Sequence, residues 1–189
     1  MRLLIALLLS SSLFSVEHLP EEYLVRFGSL EAPLEVVEYF SFSCPNCVAL
    51  FRKEFPELRE RYLEKGLISL TFHPVPMDLV TVQAMDCLQK LSEGKKRIFL
   101  EAVLDSIDIR DPELATEMLK RAMELLESPL PELANEEYLS STKAFRDAYE
   151  YILEEDKPNA IPSLTVGGTF YPNEIPSLHF LEKKLKGAP

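Results

Sequence analysis

The chain has 189 residues, 47% of them hydrophobic and 27% charged, with a formal net charge of −11. That balance is globular and fits one domain, or one domain with an insertion, so disordered, collagen-like and low-complexity classes are excluded. The acidic excess repels a phosphate backbone and speaks against nucleic-acid binding, while no apolar run reaches the ~20 residues of a membrane span. Trp is absent, so aromatic packing falls to 11 Phe and 7 Tyr. Three Cys are too few for a disulfide-dense scaffold.

At the N-terminus, Arg2 precedes an apolar run over residues 3–9 and then Ser10, Ser11 and Ser12. A positive start, a short apolar core and small polar residues have the form of a secretory signal, expected over residues 1–15 with cleavage after Ser12 or Ser15. The competing readings are an uncleaved anchor and a buried first helix. Export would place the cysteines where disulfides persist.

Residues 35–40, Glu-Val-Val-Glu-Tyr-Phe, are apolar on both faces apart from Glu38, as in a covered parallel strand. After Ser41-Phe42-Ser43-Cys44-Pro45-Asn46-Cys47, a helical pattern runs through Phe51, Phe55, Leu58 and Tyr62 to Leu63. Gly66 supplies its C-cap, and Pro56 should kink it. Residues 67–72 alternate as a second strand, and the β–α–β order implies a right-handed crossover. Helices are expected over 79–92, 95–107, 112–127 and 135–155. Asp111-Pro112 and Asn135 serve as starts for the last two. The negative charge of this half is expected to be a solvated face. Residues 163–166 form a strand, Gly167-Gly168 a two-residue hairpin, residues 169–171 its return, and 176–186 a final helix. The domain reading is 16–77 for one half of an α/β fold with the Cys-x-x-Cys motif, 78–156 for a helical insertion, and 157–189 for the other half.

Cys44 and Cys47 lie at a strand-to-helix turn. Unpaired N–H groups and the positive end of the helix dipole favour a thiolate there. Spacing i, i+3 puts both sulfurs on one helix face. Cys44 is then the exposed nucleophile and Cys47 the resolving thiol. Three chemistries fit: redox exchange, a zinc site that would enlist Cys87 and His73, and a structural disulfide, which would close too short a loop to stabilise much.

The run from Val37 to Cys47, with an acid in the strand, Phe40-Ser41-Phe42 and then Cys44-Pro45-Asn46-Cys47, resembles the active-site segment of DsbA-like thioredoxin-fold oxidoreductases. The helical block between the two halves, with the likeness covering roughly residues 27–186, is similar to that family too. The resemblance implies an α/β thioredoxin fold (βαβ…ββα) with a helical insertion. Residues 160–166 resemble the family's cis-Pro loop, so a cis bond is expected at Ile161–Pro162. Pro162 and the backbone of Ile161 would present an extended substrate to the pair by strand addition, with Pro45 and Asn46 as further substrate contacts. Pro162→Ala or Thr is then expected to trap mixed disulfides.

Glu38 stands six residues before Cys44, where the family carries an acid. Burial would raise its pKa and suit it to proton exchange with Cys47. The alternative is an edge-exposed or lysine-paired carboxylate. Asn46 stands where DsbA has His and brings no charge, and Glu31, Glu35 and Glu38 are taken to lie near. Both points imply a Cys44 thiol less acidic than in DsbA. Cys87 is expected to be a buried inert thiol and His73 structural, while His18 and His179 carry no signal.

The implied function is exported thiol–disulfide exchange on cysteine-containing proteins, in the disulfide-introducing direction. No metal or other cofactor is implied, and a redox partner would reset the pair. The protein is expected to be a periplasmic monomer, or membrane-tethered where the signal stays uncleaved. The alternatives are an envelope reductase or isomerase and a non-catalytic peptide-binding module on the same fold.

Overall fold

The structure, a computed structural model, describes residues 19–155 and 157–187; the signal expected over 1–15, and His18, lie outside them. Among the described residues five strands form one sheet: β1 (Val25–Gly28), β2 (Leu34–Phe40), β3 (Ile68–Pro74), β4 (Ser163–Val166) and β5 (Thr169–Tyr171). Their spatial order is β1-β3-β2-β4-β5, with β2 and β3 parallel and the other neighbours antiparallel. Helix α1 (Pro45–Leu58) connects the parallel pair. The block between β3 and β4 comprises α2 (Leu79–Leu88), α3 (Glu93–Ser106), α4 (Pro112–Leu125), α5 (Glu136–Ser141) and α6 (Lys143–Leu153), and α7 (Leu178–Gly187) is the last element of the described residues. The order expected from sequence is present, with one addition. The short antiparallel edge strand β1 was not foreseen.

The period of two along a strand sorts the central strands into two faces. Leu34, Val36 and Phe40 of β2, with Ile68, Leu70 and Phe72 of β3, join the larger core beneath α1. Val37 and Tyr39 join a second cluster, which takes Val82 and Met85 from α2 and Ala144, Ala148 and Tyr151 from α6. In the absence of Trp, phenylalanine fills the first core. Phe51 and Phe55, one helical turn apart, stack with centroids 4.4 Å apart, and Phe72 meets both edge-on at 5.8 and 5.7 Å.

Local chemistry explains the element boundaries. Pro56 has no N–H for the helical ladder, and α1 passes into a π-helical turn over Arg59–Leu63. Gly66, at φ +66°, then closes the end, with Leu67 N–H reaching Tyr62 O at 2.9 Å. Gly167 and Gly168 both have positive φ, as a two-residue hairpin of the primed type requires. Gly28 also has positive φ (+81°), and a Cβ there would lie 2.5 Å from the carbonyl oxygen of Ile68.

One expected helix is two. The span 135–155 breaks at Thr142, whose backbone is extended (φ −71°, ψ 157°) and whose Oγ1 caps Phe145 N–H at 3.1 Å. Ser140, Ser141 and Thr142 all turn their hydroxyls onto nearby backbone carbonyls, and this competition makes such runs poor helix interiors.

Candidate active site

The site is built at the C-terminal end of β2. Ser41 through Cys44 turn the chain into α1, closed by Cys44 N–H on Ser41 O at 3.2 Å. Cys44 is the N-cap of α1, and Pro45 occupies the first helical position, where its missing N–H is not needed. Cys44 and Cys47 form a disulfide with Cα atoms 5.3 Å apart. The Cys47 N–H also donates to Cys44 Sγ at 3.2 Å. A backbone donor and the helix N-terminus thus converge on Cys44 Sγ, the atom that would carry charge as a thiolate. Cys44 is 9% exposed and Cys47 2%. Cys44 is the more accessible of the two, but the expectation of an exposed Cys44 needs correction: its side chain packs into the core cluster. Pro45 and Asn46 stand exposed beside it.

Sequence reasoning missed the support under this loop. Asp78, the N-cap of α2, accepts Thr81 N–H at 2.8 Å and the Ser41 hydroxyl at 2.6 Å. Thr81 Oγ1 lies 2.9 Å from Asp78 Oδ2 and accepts Phe42 N–H at 3.1 Å, while Ser43 N–H donates to Ser41 Oγ at 3.1 Å. Ser41 and Phe42 are therefore tied to the first turn of α2, and Ser43 is tied to Ser41. An Asp placed just before an apolar helical run is an N-cap signal. Its second partner, 37 residues away, has no sequence signal.

Pro162 precedes β4, and Ser163 is the register partner of Tyr39. Pro162 therefore comes beside the end of β2 from which the cysteine loop departs. The Ile161–Pro162 bond is cis. Ile161 packs against the core cluster that contains both cysteines.

Glu38 is 3% exposed and points to the α1 face. It lines a cavity of about 10 Å³ together with Leu50, Phe51, Glu54, Phe55 and Phe72, which is space for about one water. Burial alone raises its pKa from 4.5 to about 8, so it is protonated at neutral pH. The edge-exposed and lysine-paired alternatives do not hold. Neither cysteine lines the cavity, which sits under the second and third turns of α1.

The expected acidic surroundings of Cys44 need correction. Glu35 pairs with Ser69 at the far end of β2, and five residues of strand place it about 17 Å back from Phe40. Glu31 lies beyond that end, and Glu38 is neutral. The carboxylate connected to the cysteine loop is Asp78.

The remaining candidates lie apart. Cys87 is fully buried, and burial pushes its thiol far above the usual range. His73 is buried on the opposite face of the sheet from α1, where Nε2 accepts Leu19 N–H at 3.0 Å and Nδ1 faces the Pro74 carbonyl. His179 is exposed on α7. Among the described residues no three His, Cys, Asp or Glu side chains are grouped to hold a metal ion.

Comparisons agree with this architecture. A disulfide bond formation protein D of Bacillus anthracis, described as probable, is 26% identical over 171 residues, covering 84% of this chain and 77% of that one. The crystal structure of alpha-DsbA1 from Wolbachia pipientis superposes with a TM-score of 0.66 at 22% identity, covering 90% of this chain and 92% of that chain. BdbD from Bacillus subtilis, in its oxidised form, gives 0.58 at 14% identity over 92% and 97% of the two chains. A family model described as Thioredoxin matches residues 21–182, a span running from the short turn before β1 into α7. With one five-stranded sheet, a disulfide-capped α1 and a helical block inserted between β3 and β4, and with the family model matching residues 21–182, this chain belongs to the thioredoxin family.

Proposed function

We propose that the protein is an exported thiol–disulfide oxidoreductase that introduces disulfides into cysteine-containing proteins. The observation that carries this reading is the disulfide itself. It joins the N-cap of a 14-residue helix to its third residue, and of the two cysteines Cys44 is the more exposed, at 9% against 2%. The name of the Bacillus anthracis relative, a probable disulfide bond formation protein D, supports the disulfide-introducing direction.

A substrate thiolate attacks Cys44 Sγ. The Cys44–Cys47 bond breaks and Cys47 leaves as a thiolate, which then takes up a proton. A second substrate thiolate attacks the substrate sulfur of the mixed disulfide, and Cys44 leaves as a thiolate held by Cys47 N–H and the helix terminus. The substrate loses two electrons and two protons, and the pair gains the electrons. A partner that accepts two electrons returns the pair to the disulfide.

In this scheme Pro162 and Ile161 line up an extended substrate beside the pair, and Pro45 and Asn46 touch it. Glu38, protonated at neutral pH, serves as a proton reservoir beneath α1. Secretion by residues 1–15 would deliver the protein to the envelope. Among the described residues no helix is long and apolar enough to cross a membrane.

The test is the equilibrium of the pair with glutathione, read by thiol trapping. A potential near about −120 mV, the DsbA range, is expected for a disulfide donor; one near about −270 mV, the thioredoxin range, overturns the direction. A pair that does not titrate overturns the reading altogether.

A further inference from the structure

A wide cavity lies away from the disulfide, in the helical block. It is a groove of about 970 Å³ between α2, α4, α5 and the start of α6. Its base is apolar, with Leu133 and Leu139 buried beneath it. Its walls carry two large apolar side chains left in solvent, Leu79 (55% exposed) and Phe145 (39%). Four carboxylates stand around it: Glu113 and Glu117 on α4, and Glu136 and Glu137 on α5. One cation answers them, Lys120, whose Nζ is 3.7 Å from Glu117.

One wall of the groove begins a single residue after the support of the cysteine loop. Leu79 follows Asp78, whose carboxylate holds Ser41, and Ser41 O accepts the Cys44 N–H. An open trough with exposed apolar walls fits a chain segment with apolar side chains. Four carboxylates against one ammonium select Lys or Arg in that segment and reject acidic ones.

We propose that this groove is a docking site for unfolded substrate polypeptide, and that it selects segments mixing Lys or Arg with large apolar residues beside the cysteine to be oxidised. The proposal rests on the disulfide-exchange reading and adds a substrate class to it. The groove holds the segment while Cys44 reacts with the cysteine a few residues along.

The test uses the full protein in its disulfide form. The probes are two unfolded dithiol peptides, one with Lys, Leu and Phe around its cysteines and one with Glu in place of Lys. Dithiothreitol is the small-thiol control. Glu113→Lys/Glu117→Lys is compared with Glu60→Lys/Glu64→Lys, which changes net charge equally on a different face. The groove variant is expected to oxidise the Lys peptide at least tenfold more slowly at low salt and to oxidise dithiothreitol at the wild-type rate. The distant variant is expected to change either rate less than twofold. Equal losses in the two variants, or none, overturn the groove.

A second measurement separates this from the exchange reading. Binding of the Lys peptide with Ser in place of Cys, followed by fluorescence anisotropy, needs no redox chemistry. It should weaken at least tenfold in the groove variant. If dithiothreitol is not oxidised while that difference stands, the exchange reading fails and the groove survives. If the anisotropy difference is absent, the groove fails.

Discussion

Glu38 offers a test with a magnitude that follows from burial alone. Its carboxyl is held at about 8 in the folded protein against 4.5 for the ordinary group. The folded state therefore keeps a proton that the unfolded state gives up between those pH values. Stability must fall as pH rises through this window, because the folded form binds more protons. Below about 4.5 both states are protonated and the group costs nothing. At pH 7 the accumulated cost is about 3 kcal/mol, and above pH 8 it levels off near about 5 kcal/mol, at 1.36 kcal/mol per unit. Glu38→Gln keeps the shape and cannot ionise. Its stability relative to the parent should be flat below pH 4.5, rise by about 1.4 kcal/mol per unit and level off above 8. Any fixed cost of burying the amide offsets the whole curve and leaves its slope untouched. Urea unfolding of the disulfide-bonded forms at pH 4, 5.5, 7 and 8.5 reads this directly. By pH 7 the midpoint gap should have widened from its pH 4 value by about 1–3 M, given slopes of about 1–3 kcal/mol/M. Glu54, the other acid on the cavity, is held below its usual range, first by Lys53 and then by the Leu178 amide, so it titrates below the window. A gap that does not vary with pH would show Glu38 ionised in the folded protein, and the proton-reservoir role would go with it.

Asp78→Ala removes an N-cap and an acceptor for two hydroxyls; a loss of about 2–3 kcal/mol in thermal or urea unfolding is expected, and Asp78→Asn should recover a large part of it. A loss below about 0.5 kcal/mol would show that the network does not hold the cysteine loop. Gly28→Ala forces a Cβ against the Ile68 carbonyl at positive φ, so a loss of at least about 2 kcal/mol is expected; wild-type stability would contradict the close approach of β1 to β3. Cys87, buried with a strongly raised pKa, should resist iodoacetamide in the native disulfide form and label fully in guanidinium. Rapid native labelling would place it in an opening that this structure does not have.

Much of the fold was legible because local chemistry and global order coincide. The apolar run of β2, the Cys-Pro step into α1 and the Gly167-Gly168 turn each carry their own backbone requirement in the residues themselves. The failures share a different cause. β1 has four residues and becomes a strand only through its register with β3. Across the three consecutive hydroxyl residues 140–142 the apolar spacing continues as in a helix, and only their bonds to backbone carbonyls end it. Glu31 and Glu35 are close to Cys44 in number, yet an extended strand carries them away. The disulfide pair was legible from spacing and from the turn on which it sits. Asp78 and Thr81 were not, because their bonds to residues 41–42 depend on where α2 lands.

The pairing of β2 sets an order of assembly. One neighbour, β3, is separated by about thirty residues, but the other, β4, arrives about 126 residues after its partners on β2, across the whole helical block. Long loops of this kind close late. In a chain emerging N-terminus first, Cys44 and Cys47 come out well before the strand that follows Pro162. The cysteines of a nascent molecule therefore spend part of their life without the Ile161–Pro162 loop beside them, open to thiols that the finished protein would screen. A truncation ending before Ser163 should leave the two sulfurs more readily alkylated after reduction than in the complete chain.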